Sequence, residues 1–311
     1  MEIKPQKNLT KKKSAFRNNL PLTLMALPGI IFIFIFNYVP LYGLVLPFKD
    51  YKVNLGFLGS EWAGLRNFEF LFNGKDMLIA TRNTILYNLV FIFVGTAVSI
   101  IISLLLFEVS EKKVKLYQTL LLLPYFVSWV VVAYVVKGFF DMEHGIFNSI
   151  LTKFGAETLM WYNEVKYWPI IIIVANIWKG MGYSAVVYYA SLMGVDKELY
   201  EAAEIDGAGK IKQMWYISLP MLKSIIVIMT ILAIGKIFYG DFGLFYNLPL
   251  NSPILYPATD IIDTYVFRAM MVLGDVGMSS AACFFQSVLG FILVLVTNLI
   301  VKKVDSDNAL F

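Results

Sequence analysis

Residues 196–220 read DKELYEAAEIDGAGKIKQMWYISLP, a polar island between two long apolar runs. Asp196 is placed to N-cap a short helix, with Glu198 and Glu201 near its positive end. Gly207 stands where a left-handed C-cap would stop that helix. A second short helix is expected from Lys210 to Ile217, feeding the next apolar run. The result is a helix–glycine turn–helix elbow. It would offer Glu201, Glu204 and Asp206 beside apolar Leu199, Ala202, Ala203 and Ile205, which suits a docking surface for another protein.

The runs on either side decide what that elbow is attached to. Of the 311 residues, 59% are hydrophobic and only 15% charged. Soluble domains are roughly 45–50% apolar and about 25% charged, and the mean hydropathy here is +0.69, so the composition is that of a membrane protein. A bilayer core about 30 Å thick takes about 20 apolar residues per helix. Six runs are long enough: 22–46, 84–107, 116–136, 168–193, 217–238 and 281–301. Backbone groups surrounded by lipid must pair within their own segment, so runs of this length are expected as helices. Pro28, Pro40 and Pro124 are the places where a helix would kink or end. The first run is too long for the apolar part of a signal peptide and no small-residue cleavage pattern follows it, so it is read as a span. The fold class expected is an all-α polytopic membrane protein of six transmembrane helices with the elbow between the fourth and fifth.

Basic residues set the orientation. With the N-terminus inside, the inner segments 1–21, 108–115, 194–216 and 302–311 hold 14 Lys and Arg in 62 residues. The outer segments 47–83, 137–167 and 239–280 hold nine in 110. Both termini and the elbow are therefore expected on the cytoplasmic side of a bacterial-type plasma membrane. The chain divides into a basic tail at 1–21, a first span with its external loop at 22–83, a five-helix core at 84–301 that carries the elbow at 196–220, and a tail at 302–311. Lys4, Lys7, Lys11, Lys12, Lys13 and Arg17 in the first tail suit contact with lipid headgroups. A net charge of +4 gives no reason to expect nucleic acid. Between the last two spans, Asp260–Leu273 has the pattern of a short amphipathic helix in an interfacial or partly re-entrant position. Ser279-Ser280-Ala281-Ala282 permits close helix packing where the last span begins.

The chemistry of an enzyme is missing. The nearest approach to a phosphate loop, Gly207-Ala208-Gly209-Lys210-Ile211, has Glu204 where the first glycine is needed and Ile211 where Ser or Thr is needed. One histidine, His144, and one cysteine, Cys283, make no metal cluster and no Ser–His–Asp arrangement. The spans hold three ionisable residues, Lys179, Lys223 and Lys236, and no acid. A charge near a helix centre costs about 2.5–3.5 kcal/mol. Lys223 and Lys236 are close enough to span ends to reach the interface. Lys179 is central, and either lines a wet cavity or makes a buried helix–helix hydrogen bond. An ion-gradient-driven carrier or a channel is the alternative function, but the carboxylate such carriers place at the midplane is absent.

Several stretches carry a resemblance. Glu201-Ala202-Ala203, then Asp206-Gly207-Ala208, then Ile217-x-Leu219-Pro220 resembles the EAA loop of binding-protein-dependent ABC importers. Trp62 to Phe68, Gly145 to Asn148, and Asn176-Ile177-Trp178-Lys179-Gly180-Met181-Gly182-Tyr183 are similar to stretches of polysaccharide- and oligosaccharide-type sugar permeases. The resemblance implies a transmembrane permease subunit of an ATP-driven sugar importer of type I, itself non-catalytic. It implies a second permease subunit, expected to differ from this chain, and an external solute-binding protein. It also implies two cytoplasmic ATPase subunits, which would carry the ATP and magnesium, so that this chain binds no cofactor. Leu199, Glu201, Ala202, Ala203, Asp206, Gly207, Leu219 and Pro220 are then the expected ATPase-coupling residues. Aromatic faces with hydrogen-bonding neighbours suit sugars, so Trp129, Asn176, Lys179, Tyr183 and Tyr188 are the candidate lining of a saccharide path.

Overall fold

The computed structural model of this chain describes residues 20–304 and 309. The basic tail expected at 1–21 lies outside the described residues apart from Leu20 and Pro21, as does most of 302–311. Among the described residues four helices are long and apolar enough to cross a membrane: Leu20–Phe48, Lys75–Phe107, Val165–Leu192 and Val276–Lys303. Two pairs are bent at a short break, Lys112–Phe126 with Trp129–Phe139 by 93° and Lys210–Met221 with Lys223–Ile234 by 56°. Counting each bent pair as one crossing gives six spans in the order expected from the apolar runs. Lys49–Asp50 pairs antiparallel with Glu61–Trp62 in the loop after the first span.

Where span boundaries differ from the apolar runs, local hydrogen bonding accounts for it. The second span begins at Lys75 rather than 84, because Met77, Ala80 and Asn83 are buried against protein while Lys75, Asp76 and Arg82 stay exposed. Asn83 donates to the carbonyls of Pro257 and Asp260, Tyr87 to that of Ala258, and Asn88 to those of Ile237 and Tyr239. Thr84 Oγ1 accepts the N–H of Ile262 at 3.0 Å. The sixth span begins at Val276 rather than 281, where Asp275 Oδ1 accepts the N–H of Met278 at 2.8 Å. The third breaks just past Pro124, with Val127 and Ser128 extended and Ser128 Oγ capping the next helix at the N–H of Val131. The fifth breaks at Leu222, two residues after Pro220. It ends at Ile234, which leaves Lys236 exposed beyond it.

The first half of the segment at 260–273 docks on the bundle, while Met270, Met271 and Val272 stay exposed. Ile261 and Ile262 are fully buried and Val266 nearly so, because the second span's polar face has captured the backbone of 257–262. Ser279, Ala281 and Ala282 are buried at the start of the sixth span, as small residues at a close crossing should be. Gly182, on the fourth span, meets the third so closely that a Cβ would overlap the carbonyl of Leu121.

Among the described residues three apolar knots hold the bundle, one of them built from Leu71, Met77, Ile262, Val266 and Ala282. At the end away from the elbow, Trp168 and Ile172 of the fourth span pack with Tyr87, Val132, Leu244, Phe245, Leu255 and Ile261. At the elbow end, Tyr188, Leu192 and Leu222 pack with Ile100, Leu104, Phe107 and Ile225. The first span stands apart. None of its most apolar window is buried, and it joins the rest through its last turns, where Phe48 meets Phe284 edge-on at 5.4 Å.

Candidate functional site: the elbow and the break in the third span

The elbow takes the expected form. Its helix runs Lys197–Ile205, and the Asp196 carboxylate accepts the N–H of Glu198 at 3.0 Å. The far end is closed by two reverse bonds, Ala208 N–H to the carbonyl of Ala203 at 2.8 Å and Gly207 N–H to that of Glu204 at 3.0 Å. This is the Schellman closure, and it places Gly207 at φ +78°, where a side chain is disfavoured. The next helix starts at Lys210 and leads through a π-helical turn, Met214–Ser218, into the fifth span. The buried Gln213 amide donates to the carbonyl of Ala208 at 3.0 Å and braces the turn.

The helix presents an exposed outer face. Leu199, Glu201, Ala202, Glu204, Asp206 and Gly207 are exposed, and Ala203 is partly covered. Ile205 and Ile211 are 87% and 73% exposed, and such apolar side chains interleaved with acids make a surface that another protein could cover. Leu219 and Pro220 are not on this face. They lie past the π-helical turn, at the bend of the fifth span.

The candidate path residues divide. Trp129, Lys179 and Tyr183 gather at the break in the third span. The helix ending at Phe126 leaves carbonyls without partners, and Lys179 Nζ donates to those of Tyr125 and Val127 at 2.7 Å and of Pro124 at 3.3 Å. Its charge lies over the rings of Tyr125 and Trp129, 5.5 and 5.4 Å from their centroids. Lys179 thus makes a hydrogen bond between helices while staying only partly buried. Tyr183 stacks on Tyr125 at 4.8 Å, and Trp129 Nε1 donates to Asp241. Asn176 is partly exposed, one turn before Lys179 and two before Tyr183 on the same side of the fourth span. Tyr188 does not belong with them. It is 2% exposed inside the knot at the elbow end, because the close crossing of the second, fourth and fifth spans there encloses its ring.

Sequence reasoning missed Tyr125, Asp241 and the polar face of the second span. The last carried a signal, since Asn83, Thr84, Tyr87 and Asn88 recur on one side of a helix. Among the described residues no cluster of His, Cys, Asp or Glu could hold a metal ion. Asp141, in the loop after the third span, is held below its ordinary range by the N–H groups of His144 and Glu143. Asp263 is pushed above it by burial, against the N–H of Gly240 at 2.7 Å, which stabilises the charged form.

Comparison with known proteins places this geometry. The family described as binding-protein-dependent transport system inner membrane component matches residues 114–306. The polygalacturonan/rhamnogalacturonan transport system permease protein YteP of Bacillus subtilis (strain 168) is 38% identical over 288 residues, covering 92% of this chain and 89% of that one. Protein LplB of the same organism is 34% identical over 296 residues, covering 95% and 92%. The crystal structure of a bacterial alginate ABC transporter in complex with alginate pentasaccharide-bound periplasmic protein contains a chain that superposes with a TM-score of 0.84. That chain is 29% identical, with 96% of this chain and 98% of that one covered.

Proposed function

This chain belongs to the family of binding-protein-dependent transport system inner membrane components, and on that premise we propose that it forms part of an oligosaccharide path driven by ATPase subunits seated on the 196–220 elbow. It is a multi-pass permease subunit of an ATP-driven importer, and the carrier and channel alternatives fall away with the family. The relatives' names, which specify polygalacturonan, rhamnogalacturonan and alginate, support a saccharide of several units as the cargo. An external solute-binding protein would deliver it. A second permease subunit, different from this chain, would complete the path, and two ATPases would hold ATP and magnesium. Both termini and the elbow would face the cytoplasm, a reading supported by the excess of basic residues in those segments.

The observation that carries the coupling role is the elbow itself. It is capped at both ends by its own residues, so its shape is set before any partner arrives, and it holds Leu199, Ile205 and Ile211 out in the open among acids. Closure of two ATPases beneath a pair of such elbows would draw them together and bias the bundle between two states by rigid-body motion.

The test uses the reconstituted importer with ion gradients collapsed, following ATP-driven uptake of oligogalacturonides and alginate oligomers together with copurification of the ATPase. Glu201→Lys and Gly207→Val are expected to lose ATPase and uptake while helix content is retained. Wild-type uptake and full ATPase recovery in both variants would remove the coupling role.

A further inference from the structure

Resting on the reading of the elbow as the ATPase seat, we propose that Tyr200 and Phe107 form the joint that makes the elbow rigid with the second, fourth and fifth spans. Tyr200 and Ala203, one turn apart, are the two half-buried residues of the elbow helix, and the exposed Glu198 lies on its opposite side. Its ring lies against Phe107, the last residue of the second span, with centroids 5.4 Å apart. Its hydroxyl is 3.0 Å from Oγ of Ser218, which is 1% exposed beside the bend of the fifth span. Phe107 in turn meets Tyr189 of the fourth span edge-on at 6.5 Å and belongs to the knot around Leu192 and Leu222. One tyrosine thus binds the elbow helix to the point where three spans converge.

The chain on either side of the elbow helix explains why such a joint is needed. The connections on either side, through Gly194 and through Gly207 and Gly209, are turns closed by local bonds, and none of those bonds reaches the second span. The Lys210–Glu108 ion pair, 3.5 Å apart with the lysine 62% exposed, adds a second tie to the second span. A pair so exposed is worth little by itself. A lever passes on displacement only where its joint is stiffer than the load. Without Tyr200 the helix could turn under an ATPase while the spans stayed behind. Tyr200 and Phe107 are therefore positioning residues, acting through the spans and touching no cargo.

The chain has one cysteine, Cys283, so Cys283→Ser gives a background for site-specific spin labels. Labels at exposed Lys197, on the elbow, and exposed Lys166, at the far end of the fourth span, report whether the two ends move as one body. The measurement is pulsed electron–electron distance in the full complex with its ATPase, before and after trapping with ATP, magnesium and vanadate. The Lys197–Lys166 distance is expected to stay narrow and unchanged on trapping in the background protein. Tyr200→Phe keeps the ring and loses one hydrogen bond of about 1 kcal/mol, so the population with a loosened joint should rise about fivefold. Phe107→Ala should broaden the distribution further. Narrow, unshifted distances in both trapped variants, with ATPase still bound, would overturn the joint. Full ATPase recovery in Glu201→Lys and Gly207→Val would instead remove the seat on which it rests, so the two failures are distinct.

Discussion

Gly180 and Gly182 lie two residues apart on the fourth span, and alanine at each should move stability in opposite directions. At Gly180 an added Cβ meets nothing within 4 Å. The substitution there removes the helix penalty of glycine, a gain of about 1 kcal/mol. At Gly182 the same gain is set against a Cβ that would overlap the backbone carbonyl of Leu121. A backbone carbonyl cannot swing aside as a side chain can, so the overpacking cost sits near the top of its usual range, about 3 kcal/mol. Net, Gly182→Ala should lose about 2 kcal/mol and the pair should differ by about 3 kcal/mol. At roughly 2–4 °C per kcal/mol for a chain of this size class, their unfolding temperatures should separate by on the order of 10 °C. The assay is thermal unfolding of the purified complex followed by tryptophan fluorescence, with both variants in one detergent. Equal melting temperatures, or a Gly182→Ala protein more stable than Gly180→Ala, would show that the third and fourth spans do not cross at Gly182.

Two further substitutions test the polar contacts. Lys179→Met deletes two short charged bonds, each about 2 kcal/mol, and two ring contacts, but also removes the roughly 3 kcal/mol cost of a lysine in a span. A loss of about 2 kcal/mol in thermal or denaturant unfolding is expected, with faster amide exchange at Ser128–Val131, and an unchanged or raised stability would contradict a stabilising role for the Lys179 hydrogen bonds. Asp263 has its pKa raised by burial, so in the window between the ordinary carboxylate range and that raised value the folded chain binds more protons than the unfolded one. Stability must then fall as pH rises through the window. Asp263→Asn keeps an acceptor for Gly240 N–H and should flatten this part of the stability–pH curve, which melting from pH 4 to 8 would reveal.

The apolar runs that become the four long helices and the two bent pairs were legible in the sequence, because hydropathy measures what lipid contact requires. Hydropathy alone misplaced the boundaries wherever a polar residue faced protein instead of lipid. Lys75 to Asn83 reads as loop, yet Met77 and Ala80 are buried and the Asn83 amide donates to the carbonyls of Pro257 and Asp260. The same capture pulled 260–266 into the bundle. Its amphipathic pattern is equally that of a helix at an interface and of a helix docked on another helix, and periodicity cannot separate the two. The 93° break was half legible. Pro124 marked the weak point, but the size of the bend depends on Lys179, 55 residues away, satisfying the carbonyls the break releases.

The elbow was legible because its determinants are local. Asp196, Gly207 and the bonds they make lie within a dozen residues, so capping rules suffice to draw it. Tyr200 was invisible for the opposite reason. The apolar pattern of this helix points to the wrong residue, since Leu199, which it would place inward, is 46% exposed. The side is fixed by Phe107 and Ser218, which come from two other helices and have no sequence relation to the elbow. Tyr188 shows the converse error. Aromatic chemistry alone suggested a sugar platform, but the fourth span turns about 100° per residue, so Tyr188 points well away from Tyr183 and into the crossing of three helices. A residue's chemistry states what it could bind, whereas the angle at which its helix presents it decides whether anything can reach it.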